Sequence, residues 1–228
     1  MSELFSIQLQ NRQQQGGDGV WLDLPTTTEQ VQAALRQIGI SSDNPQGLFI
    51  SGYFAEEEKR FAIPYNMVLA SNVDELNFLA SRLETLSTGE RAELNAALQA
   101  PQSELFSIGR ITDFPENVDY YVHLPDVHGP AQLGDYYLNR SGMVDMPEEW
   151  KGGIDTAQFG RYVAQQEQGV FTQYGYLVKS GDEWQKVHEG QSVPEEYRVL
   201  SFPAPEILRD AANIPPPVQP ETEPQKVI

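Results

Sequence analysis

Two histidines and their acidic neighbours are the residues of this sequence whose types suit a metal site. His123 and His128 lie five positions apart, with Asp119 and Asp126 nearby. Imidazole nitrogens and carboxylate oxygens are ligands for zinc and other divalent metals. A spacing of five does not match the i, i+4 pairs that a helix presents on one face, and Pro125 interrupts regular structure between the two rings. The pattern favours turn and surface histidines, so we expect no metal.

Covalent and cofactor chemistry has no support in the sequence. The chain contains no cysteine, which excludes thiol catalysis and thiolate metal sites. It has no G-x-S-x-G, P-loop or G-x-G-x-x-G motif. Carboxylates are abundant, but abundance without geometry identifies no acid and base pair. We predict that the protein is not an enzyme and holds no cofactor; a carboxylate-dependent enzyme stays open as an alternative of a different class.

The carboxylates are most informative through the uniform negative charge that they give to one stretch of the sequence. Residues 111–137 contain five of them and neither lysine nor arginine: Asp113, Glu116, Asp119, Asp126 and Asp135. The whole chain carries 33 acidic and 15 basic residues, a net charge of −18, and the excess is spread along its length. Such a field repels nucleic acid and anionic membranes and attracts basic surfaces. A soluble acidic or halophilic protein is the plainer interpretation of charge alone.

Residues 1–66 have the pattern of a small α+β domain. "LFSIQLQN" alternates apolar and polar residues as a half-buried strand does, and "GVWLDLP" and "GLFISGYF" resemble two further strands. Between them, Thr26 and Glu29 are spaced as a helix capping box. The apolar positions that follow fall on one helical face: Val31, Ala34, Leu35 and Ile38. We predict three strands and one helix.

Residues 67–110 have helical periodicity. Apolar residues recur at helical spacing at Leu76, Leu79, Ala80, Leu83 and Leu86. Ser87 and Glu90 then form a second capping box pattern, which predicts a helical hairpin. We expect the polar faces of this middle domain to carry Asp74, Glu75, Glu84, Glu90 and Glu93.

Residues 111–180 are predicted to form an α+β C-terminal domain. "QLGDYYLNRSG" and "DTAQFGRYVAQQEQGV" are typical of helices, and "VFTQYGYLVKSG" is typical of a terminal strand. Residues 181–228 form an extension with a possible late hairpin and a proline-rich segment from Phe202 that we predict to be disordered. The predicted fold is therefore α+β, an elongated chain of three small domains followed by a tail.

Three segments resemble the ArdA family of antirestriction proteins. Residues 154–178, "IDTAQFGRYVAQQEQGVFTQYGYLV", are similar to the family pattern IDY-x-x-[FY]-G-R-x-x-x-x-[DE]-x-G-x-[FY]-T-x-x-GY. Thr156 stands where an aromatic residue is common, and Glu167 occupies the acidic position. "GVWLDLP", followed by a helix that ends in Ile-Gly, and "ELNFLASRLETL" resemble the family's earlier motifs. The resemblance covers about residues 4–180.

The resemblance implies a function. ArdA proteins are carried by mobile elements and act in the cytoplasm of a bacterial host. The resemblance implies an elongated homodimer whose acidic surface imitates B-DNA. This surface would occupy the DNA groove of type I restriction–modification enzymes, chiefly at the methyltransferase core with its specificity subunit. Such a protein does not bind nucleic acid directly and has no membrane partner. An acidic decoy or adaptor for another nucleic-acid-binding defence protein stays open.

The same resemblance gives the residues that we expect to act. The predicted DNA-mimicking surface consists of Asp74, Glu75, Glu84, Glu90, Glu93, Asp113, Glu116, Asp119, Asp126, Asp135, Asp145, Glu148, Glu149, Asp155 and Glu167. The predicted dimer interface consists of Phe159, Tyr162, Phe171, Tyr174 and Tyr176, because five aromatics exceed what one small domain needs for its own core.

Overall fold

The structure, a computed structural model, describes residues 3–14, 17–41, 46–56, 60–101 and 103–200. It is a mixed α+β protein with two small sheets. The strands are β1 Phe5–Asn11, β2 Val20–Leu24, β3 Leu48–Phe54, β4 Tyr121–Leu124, β5 Val170–Thr172 and β6 Gly175–Lys179. The helices are α1 Thr28–Gln37, α2 Tyr65–Leu69, α3 Val73–Glu84, α4 Thr88–Gln99, α5 Ile108–Thr112, α6 Pro130–Asn139, α7 Glu148–Lys151 and α8 Thr156–Glu167.

The N-terminal sheet confirms the predicted three strands and helix. It is antiparallel with the strand order β2-β1-β3. Alternate residues of β1 (Phe5, Ile7 and Leu9) are buried, and α1 buries Val31 and Leu35. This inward-and-outward alternation follows from the two-residue period of a strand, and it leaves the opposite sheet face to polar residues and exposed aromatics.

The cap of α1 lies one residue later than predicted. Thr27, and not Thr26, is the N-cap, and Gln30 completes the capping box in place of Glu29. The reason is a contact from outside the helix, because the backbone N–H of Thr26 donates to Asn77 Oδ1 at 2.7 Å. That bond fixes Thr26 against α3, so the helix begins after it.

Helices α3 and α4 follow the predicted pattern. Each begins with a complete capping box, Asn72 with Glu75 and Ser87 with Glu90. The predicted apolar positions of α3 and of the connection after it are all buried, namely Leu76, Leu79, Ala80, Leu83 and Leu86. Fully burying one such leucine stabilises the fold by about 1.5–3 kcal/mol. This local periodicity is the feature that the sequence specifies most directly.

The C-terminal part combines a second sheet with two closely packed helices. The sheet has the order β4-β6-β5 and is antiparallel throughout. The single terminal strand predicted here is instead a hairpin, because Gly175 at φ 119° allows the chain to turn between β5 and β6. The predicted helices are confirmed as α6 and α8, which meet at Gly134 and Gly160.

Two clusters of buried apolar side chains form the core. The main cluster contains residues from all three predicted domains, for example Leu9, Leu79 and Phe114, and it extends to Val199. A small second cluster consists of Val127, Leu133, Ala164 and Tyr176. The division into domains at residues 66, 110 and 180 stays a prediction.

Residues 181–200, which we call the C-terminal strap, cross the outside of the main core. The predicted late hairpin is wrong, since the strap contains only turns and one 3-10 helix, Glu195–Tyr197. Side chains of the body hold its backbone instead: Asn117 Nδ2 donates to the carbonyl of Gln185 at 3.0 Å, and Asn77 Nδ2 donates to that of Tyr197 at 3.0 Å. The proline-rich segment lies outside the described residues. Among the described helices, none has the length and apolar character to cross a membrane.

Candidate acidic interface

The predicted acidic residues divide into three groups by exposure. The exposed group has free access to a partner and consists of Glu75, Asp119, Asp126, Asp145, Glu148, Glu149 and Asp155. Two of them also serve helix ends. Asp155 caps α8 by accepting the N–H groups of Ala157 and Gln158 at 2.9 and 3.0 Å, and Glu75 closes the capping box of α3. Carboxylates at these positions also complement the positive end of the helix dipole.

The second group is partly buried: Asp74, Glu84, Glu90, Glu93, Glu116, Asp135 and Glu167. Several of these carboxylates are paired within the chain. Arg82 forms an ion pair with Glu116. Arg140 lies 2.7 Å from Asp135 Oδ2, and this hydrogen bond lowers the pKa of Asp135. A base beside a carboxylate reduces the local negative charge, so Glu116 and Asp135 contribute less to an acidic surface than their sequence context indicated.

Asp113 is the one predicted surface acid that is fully buried, with a relative exposure of 0%. Its carboxylate accepts backbone N–H groups from Val187, His188 and Glu189 of the strap, the shortest at 2.6 Å. Asp113 therefore anchors the strap and does not belong to the acidic surface. The prediction failed because its partners lie more than 70 positions away in the chain.

Glu167 also uses its carboxylate inside the fold. Tyr137 Oη donates to one oxygen, and Tyr176 Oη donates to the other at 3.0 Å. Burial and the neighbouring Glu167 both raise the pKa values of these two phenols, so both remain protonated donors at neutral pH. The acidic position of the sequence motif thus connects α8 to α6 and β6.

Asp74 has a comparable role at the C-terminal end of the strap. Its Oδ1 accepts the N–H groups of Val199 and Leu200 at 2.7 and 2.8 Å. Asp74 is only partly buried, so it combines this contact with a limited surface charge. Two predicted surface acids therefore hold the strap, Asp113 near its middle and Asp74 at its C-terminal end.

Glu93 lies in a cluster of like charges. Its side chain is partly buried near Glu90 on the same helix and Asp119 in the 3-10 helix Val118–Tyr120, and its Oε1 has no hydrogen-bond partner among the described residues. Burial, followed by repulsion from Glu90 and Asp119, raises the pKa of Glu93 to about 8. At neutral pH this side chain is mostly protonated, so the acidic surface carries less charge here than the count of carboxylates implies.

Replacing Glu93 by glutamine is expected to stabilise the protein at high pH. Because the folded state holds this proton more tightly than the unfolded chain, its contribution to stability is present below pH 4.5 and is lost as pH rises through about 8. Glutamine imitates the protonated form at every pH. We expect E93Q to gain about 1 kcal/mol at pH 9, discounted for partial exposure, and nothing at pH 5. Thermal unfolding at both pH values measures this, with E149Q as the exposed control that should show no such difference.

The predicted interface aromatics do not share one surface. Tyr176 is fully buried and packs against Phe171 with ring centroids 4.9 Å apart, so Tyr176 belongs to the core of its own chain. Tyr174 is partly buried against the main cluster. On α8, Phe159 is partly buried and Tyr162 is 60% exposed. Only these last two lie three positions apart on one helix face.

Sequence reasoning missed two exposed apolar residues in the same part of the chain. Met143 is 75% exposed and Trp150 is 66% exposed. Trp150 lies on the four-residue helix α7, which Pro147 and Gly152 flank in "DMPEEWKGG", and a tryptophan between such helix-ending residues is a feature that sequence alone could have identified. Both side chains lie in the segment between α6 and α8 and are open to solvent.

The histidines have structural contacts. His123 Nε2 lies 2.7 Å from the carbonyl oxygen of Tyr174, and the backbone N–H of His128 donates to Gln132 Oε1 at 2.8 Å. Within the described residues, no group of three histidine, aspartate or glutamate side chains has the geometry to hold a metal ion.

Comparison with known proteins identifies the family. The family model described as antirestriction protein (ArdA) matches residues 17–178, well over half of the chain. No curated protein sequence matches the chain in a parallel comparison. The matched region contains β2 to β5, β6 except for its last residue, the eight described α-helices and every residue of the exposed acidic group, whereas β1 precedes it. The chain belongs to the ArdA family of antirestriction proteins.

Proposed function

We propose that this antirestriction protein imitates B-DNA and occupies the DNA-binding groove of type I restriction–modification enzymes, at the methyltransferase core with its specificity subunit. The observation that carries the proposal is the exposed acidic group within the region matched by the family. Between residues 111 and 149, Arg140 is the sole base of the sequence, and it is paired with Asp135. The exposed acids Asp119, Asp126 and Asp145 therefore present an almost uniform sign.

The magnitude of the charge fits a DNA imitation. B-DNA carries one charge per about 1.7 Å of helix axis, so a net charge of −18 corresponds to about 30 Å of duplex. A homodimer would reach about 60 Å. The charge density is lower than that of DNA, but carboxylates fixed on a fold avoid the several kcal/mol that bending a DNA site costs.

Neutralising the exposed acids together is expected to abolish most of the inhibition. Each exposed charge pair contributes about 0.2–1 kcal/mol, so one substitution should weaken binding less than tenfold. The combination D119N, D126N, D145N and E149Q should weaken it by about 10- to 100-fold without unfolding the protein. The measurement is cleavage of unmodified DNA by a purified type I enzyme, with thermal unfolding recorded for each variant.

A charge-matched control separates position from total charge. Asp182, Glu183, Glu195 and Glu196 are exposed on the strap, outside the matched region. Neutralising these four changes the net charge equally but should reduce inhibition much less. Equal effects of the two quadruple variants would show that total charge and not a defined surface drives inhibition.

We further infer a homodimer that forms through the face of α8 that carries Phe159 and Tyr162. Charge at position 162 should disrupt such a contact, because a buried unpaired carboxylate is strongly unfavourable. We expect the Y162D variant to sediment as a monomer at micromolar concentration. R161Q is the control: it changes the net charge by the same amount at an exposed neighbour on another face of the helix. A wild-type monomer at this concentration would contradict the proposal.

A further inference from the structure

Trp150 is a large aromatic residue that the fold leaves open to solvent. It is 66% exposed, and it takes part in neither of the two core clusters that the described residues form. A single exposed apolar side chain is common on protein surfaces and needs no explanation by itself. What distinguishes Trp150 is its setting, because its backbone is held in place and its neighbours in the chain are acidic.

The short helix α7 fixes the position of the indole ring. The N–H of Trp150 donates to the carbonyl of Pro147 at 3.0 Å, and its own carbonyl accepts the N–H of Gly153 at 3.0 Å. Lys151 pairs with Glu148 at 3.0 Å, and these two residues border a cavity that α7 shares with the last residues of α6. Position 150 lies away from the face that carries this pair. The indole is therefore presented outward by an ordered backbone, so little ordering is needed when a partner covers it.

Exposed carboxylates stand on both sides of Trp150 in the chain. Asp145 and Glu149 precede it and Asp155 follows it, each within five positions and each exposed. Between Asp145 and Asp155 the sequence contains one base, Lys151, which is already paired within α7. A surface of this sign attracts the basic groove of a DNA-binding protein. The ring would thus be carried into such a groove by the charges around it.

A flat ring between negative charges has the chemistry of a nucleotide that has been turned out of a DNA duplex. Methyltransferases that act on a DNA base rotate that base out of the stack into a pocket, where aromatic and apolar side chains hold its faces. The rotated nucleotide has a phosphate on either side. Indole is a flat two-ring system similar in size to a purine, and its N–H donates a hydrogen bond as a base edge does.

We propose that Trp150 enters the target-base pocket of the methyltransferase core and takes the place of the base that the enzyme rotates out of DNA. This inference rests on the proposed function, since the chain must occupy the DNA groove for Trp150 to reach the pocket. Tryptophan is among the residues that most often dominate the binding energy of an interface. The exposed indole also enters without the unpairing and unstacking that DNA must undergo.

Competition with DNA tests the contribution of the ring. The measurement is displacement of a fluorescent duplex, containing the recognition sequence, from a purified type I methyltransferase. We expect W150A to weaken binding by about 30-fold or more, the loss typical of a dominant interface tryptophan, and W150F to fall between W150A and the parent. W21A is the matched control, because Trp21 is 50% exposed on β2 in the other sheet and should not contribute. Equal affinities of W150A and the parent would overturn the proposal.

A double-mutant cycle identifies what holds the ring. The second substitution is made in the methyltransferase, where an aromatic residue that stacks on the rotated base is replaced by alanine. If Trp150 lies in that pocket, the combination of W150A with the altered enzyme should weaken binding by clearly less than the product of the two separate effects, because each change removes the same contact. If the two effects multiply, Trp150 contacts another part of the enzyme and the proposal is wrong.

The same measurements separate failure of this proposal from failure of DNA mimicry. If the parent protein does not displace the duplex, DNA mimicry itself fails and the role of Trp150 fails with it. If the parent displaces the duplex and W150A does so equally well, only the role of Trp150 fails. Sedimentation and thermal unfolding complete the test, since W150A should keep the oligomeric state and the melting temperature of the parent. A change in either would place Trp150 between two copies of the chain or in its own core, and would also overturn the proposal.

Discussion

Replacing Gly160 by alanine is expected to force helices α6 and α8 apart and to unfold the C-terminal part of the protein first. A Cβ at Gly160 would overlap the carbonyl oxygen of Pro130 and lie 2.8 Å from the backbone nitrogen of Gly134. Both neighbours are backbone atoms, so no side chain can rotate away. Overpacking typically lowers the free energy of unfolding by about 1–3 kcal/mol. Because this clash is between two backbones, we expect a loss of about 3 kcal/mol or more.

The effect should be local before it is global. The small second core cluster depends on this helix pair, since Leu133 lies on α6 and Ala164 on α8. Hydrogen exchange should therefore show lost protection in α6 and α8 while β1 and α3 stay protected. The hydrogen bond from Tyr137 to Glu167 bridges the same two helices and should be lost with them.

Gly89 provides the matched control. It is the second residue of α4, and a Cβ built there meets no atom within 4 Å. The same substitution at this position should stabilise the protein by up to about 1 kcal/mol, because alanine is the better helix former. If G160A unfolded no earlier than the parent protein, the close approach of α6 and α8 would be incorrect.

The sequence predicts local features of this fold well because their causes are local. The apolar spacing from Leu76 to Leu86 and the pair Ser87 and Glu90 need only helix geometry, and the structure contains both as expected. The glycine of the "FGR" motif was recognised only as part of a family pattern. A glycine is needed at this position because the backbone of α6 lies directly against it. The contact joins residues 26 positions apart in the sequence, and no periodicity reveals such a pair.

The acidic residues also show that sequence patterns do not reveal contacts between distant positions. Asp113 and Asp119 occur in one stretch of uniform sign and are equivalent by composition, yet one is fully buried and the other exposed. The difference arises from the strap, which covers Asp113 and leaves Asp119 open. Charge patterning therefore predicts that a surface is acidic, whereas the contribution of each carboxylate depends on contacts that are distant in sequence.

Replacing Asp113 by alanine is expected to release the strap and to destabilise the protein by about 3 kcal/mol. Three backbone N–H groups lose a charged acceptor, and each unsatisfied buried donor costs about 1–3 kcal/mol before water reaches it. Asparagine keeps one oxygen and presents an NH2 group to the remaining donors, so D113N should also destabilise the strap. D126N is the control, since it removes the same charge from an exposed position.

Limited trypsin digestion distinguishes the anchoring role of Asp113 from a role in the acidic surface. Lys186 lies in the strap, one residue before the segment that Asp113 holds, and its side chain is exposed. If Asp113 anchors the strap, cleavage after Lys186 should be much faster in D113A and D113N than in D126N, and the melting temperature should fall in the first two variants alone. If Asp113 were instead a surface charge, D113N would keep its stability and its resistance to trypsin and lose only inhibition of the restriction enzyme. That second result would place Asp113 back among the DNA-mimicking residues and would contradict the hydrogen bonds that connect it to the strap.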